Sequence, residues 1–188
     1  MLKTKTESLY FSSSQRQARN KFCRALQKKL DKIELRRPLI FLCIGSDRVT
    51  GDSLGPLVGQ QLAANRSFPK KAVVYGTLHQ TVHAGNLEKT LTDIYNHYNN
   101  PYIIAIDASL GVEEHIGFVT LGDGSLQPGV GVGRNLPETG NIHITGIVNH
   151  ATDNNQLTLQ TTRLFTVMKL ASFISDGILT ALHVRSSL

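Results

Sequence analysis

The chain has 188 residues, of which 40% are hydrophobic, and its formal net charge is +6. This length can bury one substantial core, so we expect a single main domain. No apolar run approaches the roughly 20 residues of a membrane-spanning helix, and two cysteines support neither a disulfide framework nor a cysteine metal cluster. We therefore expect a soluble protein inside the cell that makes no contact with a membrane.

The N-terminal part of the chain carries most of the positive charge. Eleven of the 20 Lys and Arg residues precede residue 38. Ser14 is positioned to cap a helix in which Phe22, Leu26 and Leu30 recur every four residues. No aromatic residues alternate with the charges, which disfavours a nucleic-acid-binding surface, and a solvated helix face is the simpler interpretation. We assign residues 1–37 to a basic N-terminal extension with a helix and residues 38–188 to an α/β domain.

Two continuous apolar runs, residues 38–44 and 102–106, predict strands that are buried on both faces and therefore parallel. The chain continues with further predicted strands at residues 72–76, 117–121 and 142–148, and with helices at residues 55–64, 86–98 and 160–183. The last helix is expected to face inward with Leu164, Met168, Ala171 and Ile174. This alternation predicts an α/β fold, a three-layer doubly wound sandwich whose mostly parallel central sheet carries helices on both faces.

Two aspartates follow the two most apolar strands. In open α/β sheets, binding sites form beyond the carboxyl ends of the strands, which is where Asp52 and Asp107 are expected to lie. Asp52 begins a helix, so a simple N-cap is its ordinary interpretation. Asp107 directly follows an apolar strand, and a structural aspartate that caps the next turn is the alternative to a functional one. If the two strands are close, the carboxylates share one crevice, and such a pair can act as general base and general acid.

Other polar residues are expected at the rim of the same crevice. The loop after the first strand contributes Ser46, and the loop after the second strand contributes His79 and His83, although turn residues are the commoner use of such histidines. The glycine-rich segment 127–140 contributes Arg134 and Asn135, either as a lid with substrate contacts or as an ordinary surface loop. It lacks the Lys-Ser or Lys-Thr ending of a phosphate-binding loop.

These segments also resemble a known family. Residues 45–56, Gly-Ser-Asp-Arg-Val-Thr-Gly-Asp-Ser-Leu-Gly-Pro, are similar to the first signature of the bacterial spore germination protease, and residues 104–108, Ile-Ala-Ile-Asp-Ala, are similar to the second. The continuation at residues 127–131 also fits. The resemblance covers about residues 38–183, and within that superfamily, which includes the hydrogenase maturation proteases, it points to the shorter YyaC group of sporulation proteins.

The resemblance implies a doubly wound fold, and the two essential aspartates of the germination protease match Asp52 and Asp107. That protease degrades the small acid-soluble proteins that coat spore DNA. In the hydrogenase maturation branch, acidic residues at these positions bind the nickel of the substrate protein together with a later histidine, which has no match after the fourth strand here. Two departures are Ser46, where the family commonly has asparagine, and the shorter chain. We expect neither a permanent metal nor another cofactor.

The leading hypothesis is a sporulation-associated peptidase that uses Asp52 and Asp107 to activate water for attack on a protein or peptide substrate. Asp52 at the helix start is the preferred base and the more desolvated Asp107 the preferred acid. The two roles can be exchanged, because a coupled pair has no unique assignment from sequence. The resemblance implies the cytoplasm of a sporulating cell or the spore interior, and leaves a homo-oligomer open. One alternative is a non-catalytic sporulation factor that binds peptides or proteins. Another is a metal-dependent hydrolase with Asp52, Asp107 and His79 or His83 as ligands.

Overall fold

Six strands pair into one sheet in the computed structural model of the protein, which describes residues 8–129 and 136–186. The strands are β1 (Leu9–Ser12), β2 (Leu39–Cys43), β3 (Ala72–Tyr75), β4 (Tyr102–Gly111), β5 (Phe118–Asp123) and β6 (Ile142–His150). They are ordered β1-β5-β6-β4-β2-β3, with parallel ladders between β3, β2, β4 and β6. Strand β5 is antiparallel to β6 and to β1. The predicted α/β class with a mostly parallel sheet is confirmed.

Within the described residues, five α-helices and two short 3-10 turns accompany the sheet. The helices are α1 (Ala18–Leu30), α2 (Leu54–Ala64), α3 (Leu87–His97), α4 (Asn155–Gln160) and α5 (Leu164–Ser186), and the turns are Thr50–Ser53 and Glu113–His115. Helices α2 and α3 start within one residue of the predicted positions. Helix α1 begins at Ala18 after Gln17, so the prediction that Ser14 caps it is wrong. Instead, the Ser14 hydroxyl accepts a hydrogen bond from Lys169 Nζ at 2.8 Å.

The two faces of the central strands belong to two separate apolar clusters. Phe41, Ile104 and Ile106 pack with residues of α1, α2 and α5, whereas Leu42 and Ile103 pack with residues of α3. Side chains alternate between the faces of a strand, so an all-apolar run is expected only where both faces are covered. This arrangement explains why β2 and the part of β4 that precedes Asp107 consist of apolar residues.

The N-terminal residues contribute to the same sheet and core. Strand β1, which is not among the predicted strands, pairs with β5 along one edge. On α1, Phe22, Leu26 and Leu30 are fully buried, as their spacing predicts. The boundary between residues 37 and 38 stays a prediction, although residues 9–30 supply a strand and a helix to the sheet and core that residues 38–186 complete.

The C-terminal helical region differs from the prediction in two ways. It is split into α4 and α5 by a break at residues 161–163. Ala171 and Ile174 face inward, but Leu164 and Met168 are 57% and 41% exposed, so their predicted burial is wrong. By length and composition alone Leu164–Arg185 could cross a membrane, and half of its apolar window is buried inside the protein. A single helix of this kind is weak evidence for a membrane span, because core helices of soluble proteins meet the same criteria.

Candidate functional site

Asp107 lies inside β4 and not at its end. The strand continues for four residues beyond it to Gly111, because Asp107 and its successors still pair with β6, where Thr145 is opposite Asp107. On the other side, β2 ends at Cys43, and the last link is the hydrogen bond from Ile44 N to Ile106 O at 2.7 Å. Asp107 therefore lies one residue beyond the last residue of β4 that pairs with β2. It borders the gap that opens where the chain leaves the sheet after β2.

The turn that follows β2 brings Asp52 into this gap. Gly45 has φ +141°, and its backbone N–H donates to Val82 O at 2.8 Å. Ser46 N donates to Asp52 O at 3.1 Å, which closes the loop onto itself. A Cβ at Gly45 would lie 2.0 Å from Asp52 O, so only glycine permits this approach. The glycine of the predicted signature thus holds the backbone of Asp52 in place.

Asp52 belongs to the 3-10 turn Thr50–Ser53 and does not cap α2. The N-cap positions of the turn and of α2 are Val49 and Ser53. The interpretation of Asp52 as a simple N-cap is therefore wrong. Gly51 packs closely on α4, where an added Cβ would lie 2.8 Å from Leu159. Contact with α4 consequently supports the turn that carries Asp52.

A cavity of about 570 Å³, here called the first cavity, has both aspartates in its wall. The predicted site residues Ser46, His79 and His83 lie in the same wall. Its other lining residues are Ile44, Gly45, Asp47, Arg48, Val49, Leu78, Thr81, Ala84, Pro128, Gly129 and Leu136. Residues from three loops and the middle of β4 thus meet at one place, as the sequence analysis predicts for the carboxyl ends of parallel strands.

Asp52 and Asp107 differ in their burial, and the pKa of Asp107 is shifted. Asp107 is 8% exposed, and burial raises the pKa of its carboxyl well above the ordinary value, with the negative charge of Asp52 as the second cause. The Ala108 N–H donates to Asp107 Oδ1 at 2.8 Å, which opposes this rise in the pKa without cancelling it. Asp52 is only half-buried. Burial and the neighbouring charge of Asp52 therefore favour the protonated form of Asp107.

Hydrogen bonds within its own loop fix the orientation of His83. The Gly85 N–H donates to His83 Nδ1 at 3.0 Å, so this nitrogen is the acceptor and a neutral ring carries its proton on Nε2. The His83 N–H donates to Asn86 Oδ1 at 2.8 Å, and Asn86 Nδ2 donates to Thr81 O at 2.9 Å. His79 is exposed on the rim of the first cavity. His83 therefore lines the same cavity as the two aspartates, and its ring accepts a hydrogen bond from its own loop.

Ser46 is the last of the predicted site residues that the structure describes. Ser46 is half-buried, and its hydroxyl accepts a hydrogen bond from Arg48 N at 3.2 Å. Arg134 and Asn135 lie outside the described residues. Within residues 8–129 and 136–186, His, Cys, Asp and Glu side chains form no group of three that could hold a metal ion, and this includes the set of Asp52, Asp107 and either histidine.

A second cavity of about 320 Å³ adjoins the pair and shares Asp52, Asp107 and Gly129 with the first. Its wall is mainly apolar or hydroxylated and also contains Ala108, Ser109, Leu110, Leu126, Gln127, Thr145, Ala151, Asn155 and Leu159. Of these residues only Gln127 lies in a segment that the sequence places at the rim of the crevice. Asp47 and Arg48 of the first cavity were also missed, although they lie within the signature loop that the sequence singled out.

Comparison with known proteins places the chain in a family. The family model described as "Protein of unknown function (DUF1256)" matches residues 10–177. The chain is also 45% identical over 142 residues to the "Uncharacterized protein YyaC" of Bacillus subtilis (strain 168), and the match covers 76% of this chain and 68% of that protein. The matched segment of the family model includes all of β1 except Leu9, the strands β2 to β6 and both aspartates. The chain therefore belongs to the DUF1256 family and is a YyaC-type protein.

Proposed function

We propose that this protein is a peptidase in which Asp52 and Asp107 activate a water molecule and protonate the leaving nitrogen. The observation that carries the proposal is the asymmetric pair in the wall of the first cavity, where burial and the charge of Asp52 raise the pKa of Asp107. Two neighbouring carboxyls with separated pKa values can supply a base and an acid at the same pH. The resemblance of residues 45–56 and 104–108 to the germination protease signatures gives the same assignment.

Asp52 and Asp107 together supply the proton acceptor and the proton donor that peptide hydrolysis requires. The Asp52 carboxylate accepts a proton from water while the water oxygen bonds to the peptide carbonyl carbon. The carbon–nitrogen bond of the tetrahedral intermediate then breaks as Asp107 gives its proton to the leaving nitrogen. The products are a carboxylic acid and an amine, and transfer of a proton from Asp52 to Asp107 restores the starting state. The Nε2–H of His83 is available to orient the substrate carbonyl.

The proposal extends to the setting of the reaction. The resemblance to the germination protease favours spore or sporulation proteins as substrates, with the small acid-soluble spore proteins as the first candidates, in the cytoplasm of a sporulating cell or the spore interior. It also favours the three-layer doubly wound arrangement, which agrees with apolar clusters on both faces of the sheet. Arg48 on the cavity wall offers a cation for an acidic group of the substrate.

The test is incubation of the purified protein with small acid-soluble spore proteins, followed by mass spectrometry of the products. Wild type should cut at defined peptide bonds, whereas Asp52→Asn and Asp107→Asn should bind the same substrate without cutting it. Asp31→Asn, at an exposed position after α1, is the matched control and should cut like wild type. Binding without cleavage by wild type would favour the alternative, a non-catalytic sporulation factor.

A further inference from the structure

A row of exposed cations lies on the outward face of α1. Lys21, Arg24 and Lys28 are exposed on the helix, and Lys32 follows just beyond its end. Their neighbours Arg19 and Lys29 form ion pairs with Asp176 and Asp123 at 2.9 and 2.5 Å. No acidic side chain among residues 8–129 and 136–186 forms such a pair with the four cations of this row. Like charges three or four residues apart destabilise a helix, so this row lowers the stability of the protein when no partner is bound.

The row borders a groove between α1 and β1. This groove has a volume of about 410 Å³, and Leu9 and Ala25 provide its apolar floor. Its remaining lining residues are all cationic, and they include the four residues of the row. Leu9 is 47% exposed and Tyr10 is 52% exposed, which is unusual for two successive residues of a strand. The groove therefore combines an apolar surface with a strong positive potential.

Strand β1 is the terminal strand of the sheet on this side. It pairs with β5 on one edge, and within the residues that the structure describes nothing pairs with its other edge. Phe11 faces α1, because its ring lies 5.5 Å from that of Phe22, and Leu9 shares this face. A polypeptide added along the open edge would place every second side chain on the α1 side, about 7 Å apart.

We propose that the open edge of β1 and the cation row of α1 form a docking site for an acidic, extended segment of a partner protein. The segment pairs with β1 as an additional strand, and Asp or Glu at alternate positions contacts Lys21, Arg24, Lys28 and Lys32. A polypeptide is favoured over a nucleic acid because a strand edge offers N–H and C=O groups that pair with another backbone. The site does not involve Asp52 or Asp107 and stands independently of the peptidase proposal.

The experiment uses a short fluorescein-labelled peptide of alternating Glu and Thr, with fluorescence anisotropy of the full-length protein as the readout. The peptide should bind, and added salt should weaken the binding. The variant Lys21→Glu/Lys28→Glu should bind about tenfold more weakly. The matched control Lys70→Glu/Lys71→Glu, which changes the net charge equally but lies before β3 at the opposite edge of the sheet, should bind like wild type.

Two further probes separate the strand pairing from charge attraction. The same peptide with alternate backbone nitrogens methylated keeps its charges but loses the hydrogen bonds, so it should bind markedly more weakly. Equal binding of the methylated peptide would overturn the strand addition. Failure of the unmodified peptide to bind wild type, or tighter binding of duplex DNA that is lost in Lys21→Glu/Lys28→Glu, would overturn the proposal as a whole.

Discussion

Replacing Asp107 by asparagine should make the protein more stable at neutral pH. The carboxyl is 8% exposed, and its pKa is raised well above the ordinary value by burial and by the charge of Asp52. Asparagine is nearly isosteric, and its side-chain oxygen can still accept the hydrogen bond that Ala108 N donates at 2.8 Å. The substitution thus removes the buried titrating group while leaving its one described hydrogen bond in place.

The sign of the effect follows from the number of bound protons. Between the ordinary pKa of an aspartate and the raised pKa of Asp107, the folded protein holds a proton that the unfolded chain has released, so the free energy of unfolding falls as pH rises. Below the ordinary pKa both states are protonated and no difference remains. Each unit by which the pKa is raised costs about 1.4 kcal/mol of the free energy of unfolding, and the full cost is reached above the raised pKa.

The assay is urea unfolding of wild type, Asp107→Asn and the exposed control Asp31→Asn at a series of pH values from weakly acidic to weakly alkaline. At the highest pH, the free energy of unfolding of Asp107→Asn should exceed that of wild type by at least about 1.4 kcal/mol. At the lowest pH the two free energies should become equal. The control should stay within about 0.5 kcal/mol of wild type. A wild-type stability that does not fall with pH relative to Asp107→Asn would refute the raised pKa and, with it, the proposed role of Asp107 as an acid.

Three further predictions concern the residues that support the site and the core. In Asp52→Asn the negative charge beside Asp107 is absent. In that background, Asp107→Asn should raise the free energy of unfolding at neutral pH by less than it does in wild type, which a double-mutant cycle of urea unfolding measures. Gly45→Ala should destabilise the protein by at least about 1–3 kcal/mol in the same assay, because its Cβ would lie 2.0 Å from Asp52 O at φ +141°. On α5, Ile174→Ala should lower the free energy of unfolding by about 2–5 kcal/mol. Met168→Ala on the exposed face should change it by about 0.5 kcal/mol or less.

The sequence predicted the elements that are buried on both faces and the region of the site. Apolar runs identify β2 and β4 because both of their faces meet apolar clusters. The shared crevice of Asp52 and Asp107 depended on these strands being close, and the structure pairs them in parallel. The end of β4 was predicted too early, since Asp107 interrupts the apolar run while the backbone continues to pair with β6. Where a polar residue interrupts an apolar run, the sequence pattern therefore does not show that the strand continues.

Other features depend on contacts between distant parts of the chain. Strand β1 has only four residues, and its apolar run from Leu9 to Phe11 is too short to identify a strand from the sequence. The inward face of α5 continues from Ala171 and Ile174 to Val167 and Ile178, and the choice of Met168 was wrong because Met168 lies one residue outside this stripe. Leu159 packs against Gly51, which is far from it in the sequence. No local sequence pattern around either residue predicts this contact.

The most direct test of the central claim is the cleavage rate of small acid-soluble spore proteins by wild type and by the Asp52→Asn and Asp107→Asn variants, each first verified as folded. The account predicts that both substitutions lower the rate by at least about a hundredfold, as expected when a general base or acid is lost, while Asp31→Asn keeps the wild-type rate. Cleavage at the wild-type rate by either variant, or no cleavage by wild type, would contradict it.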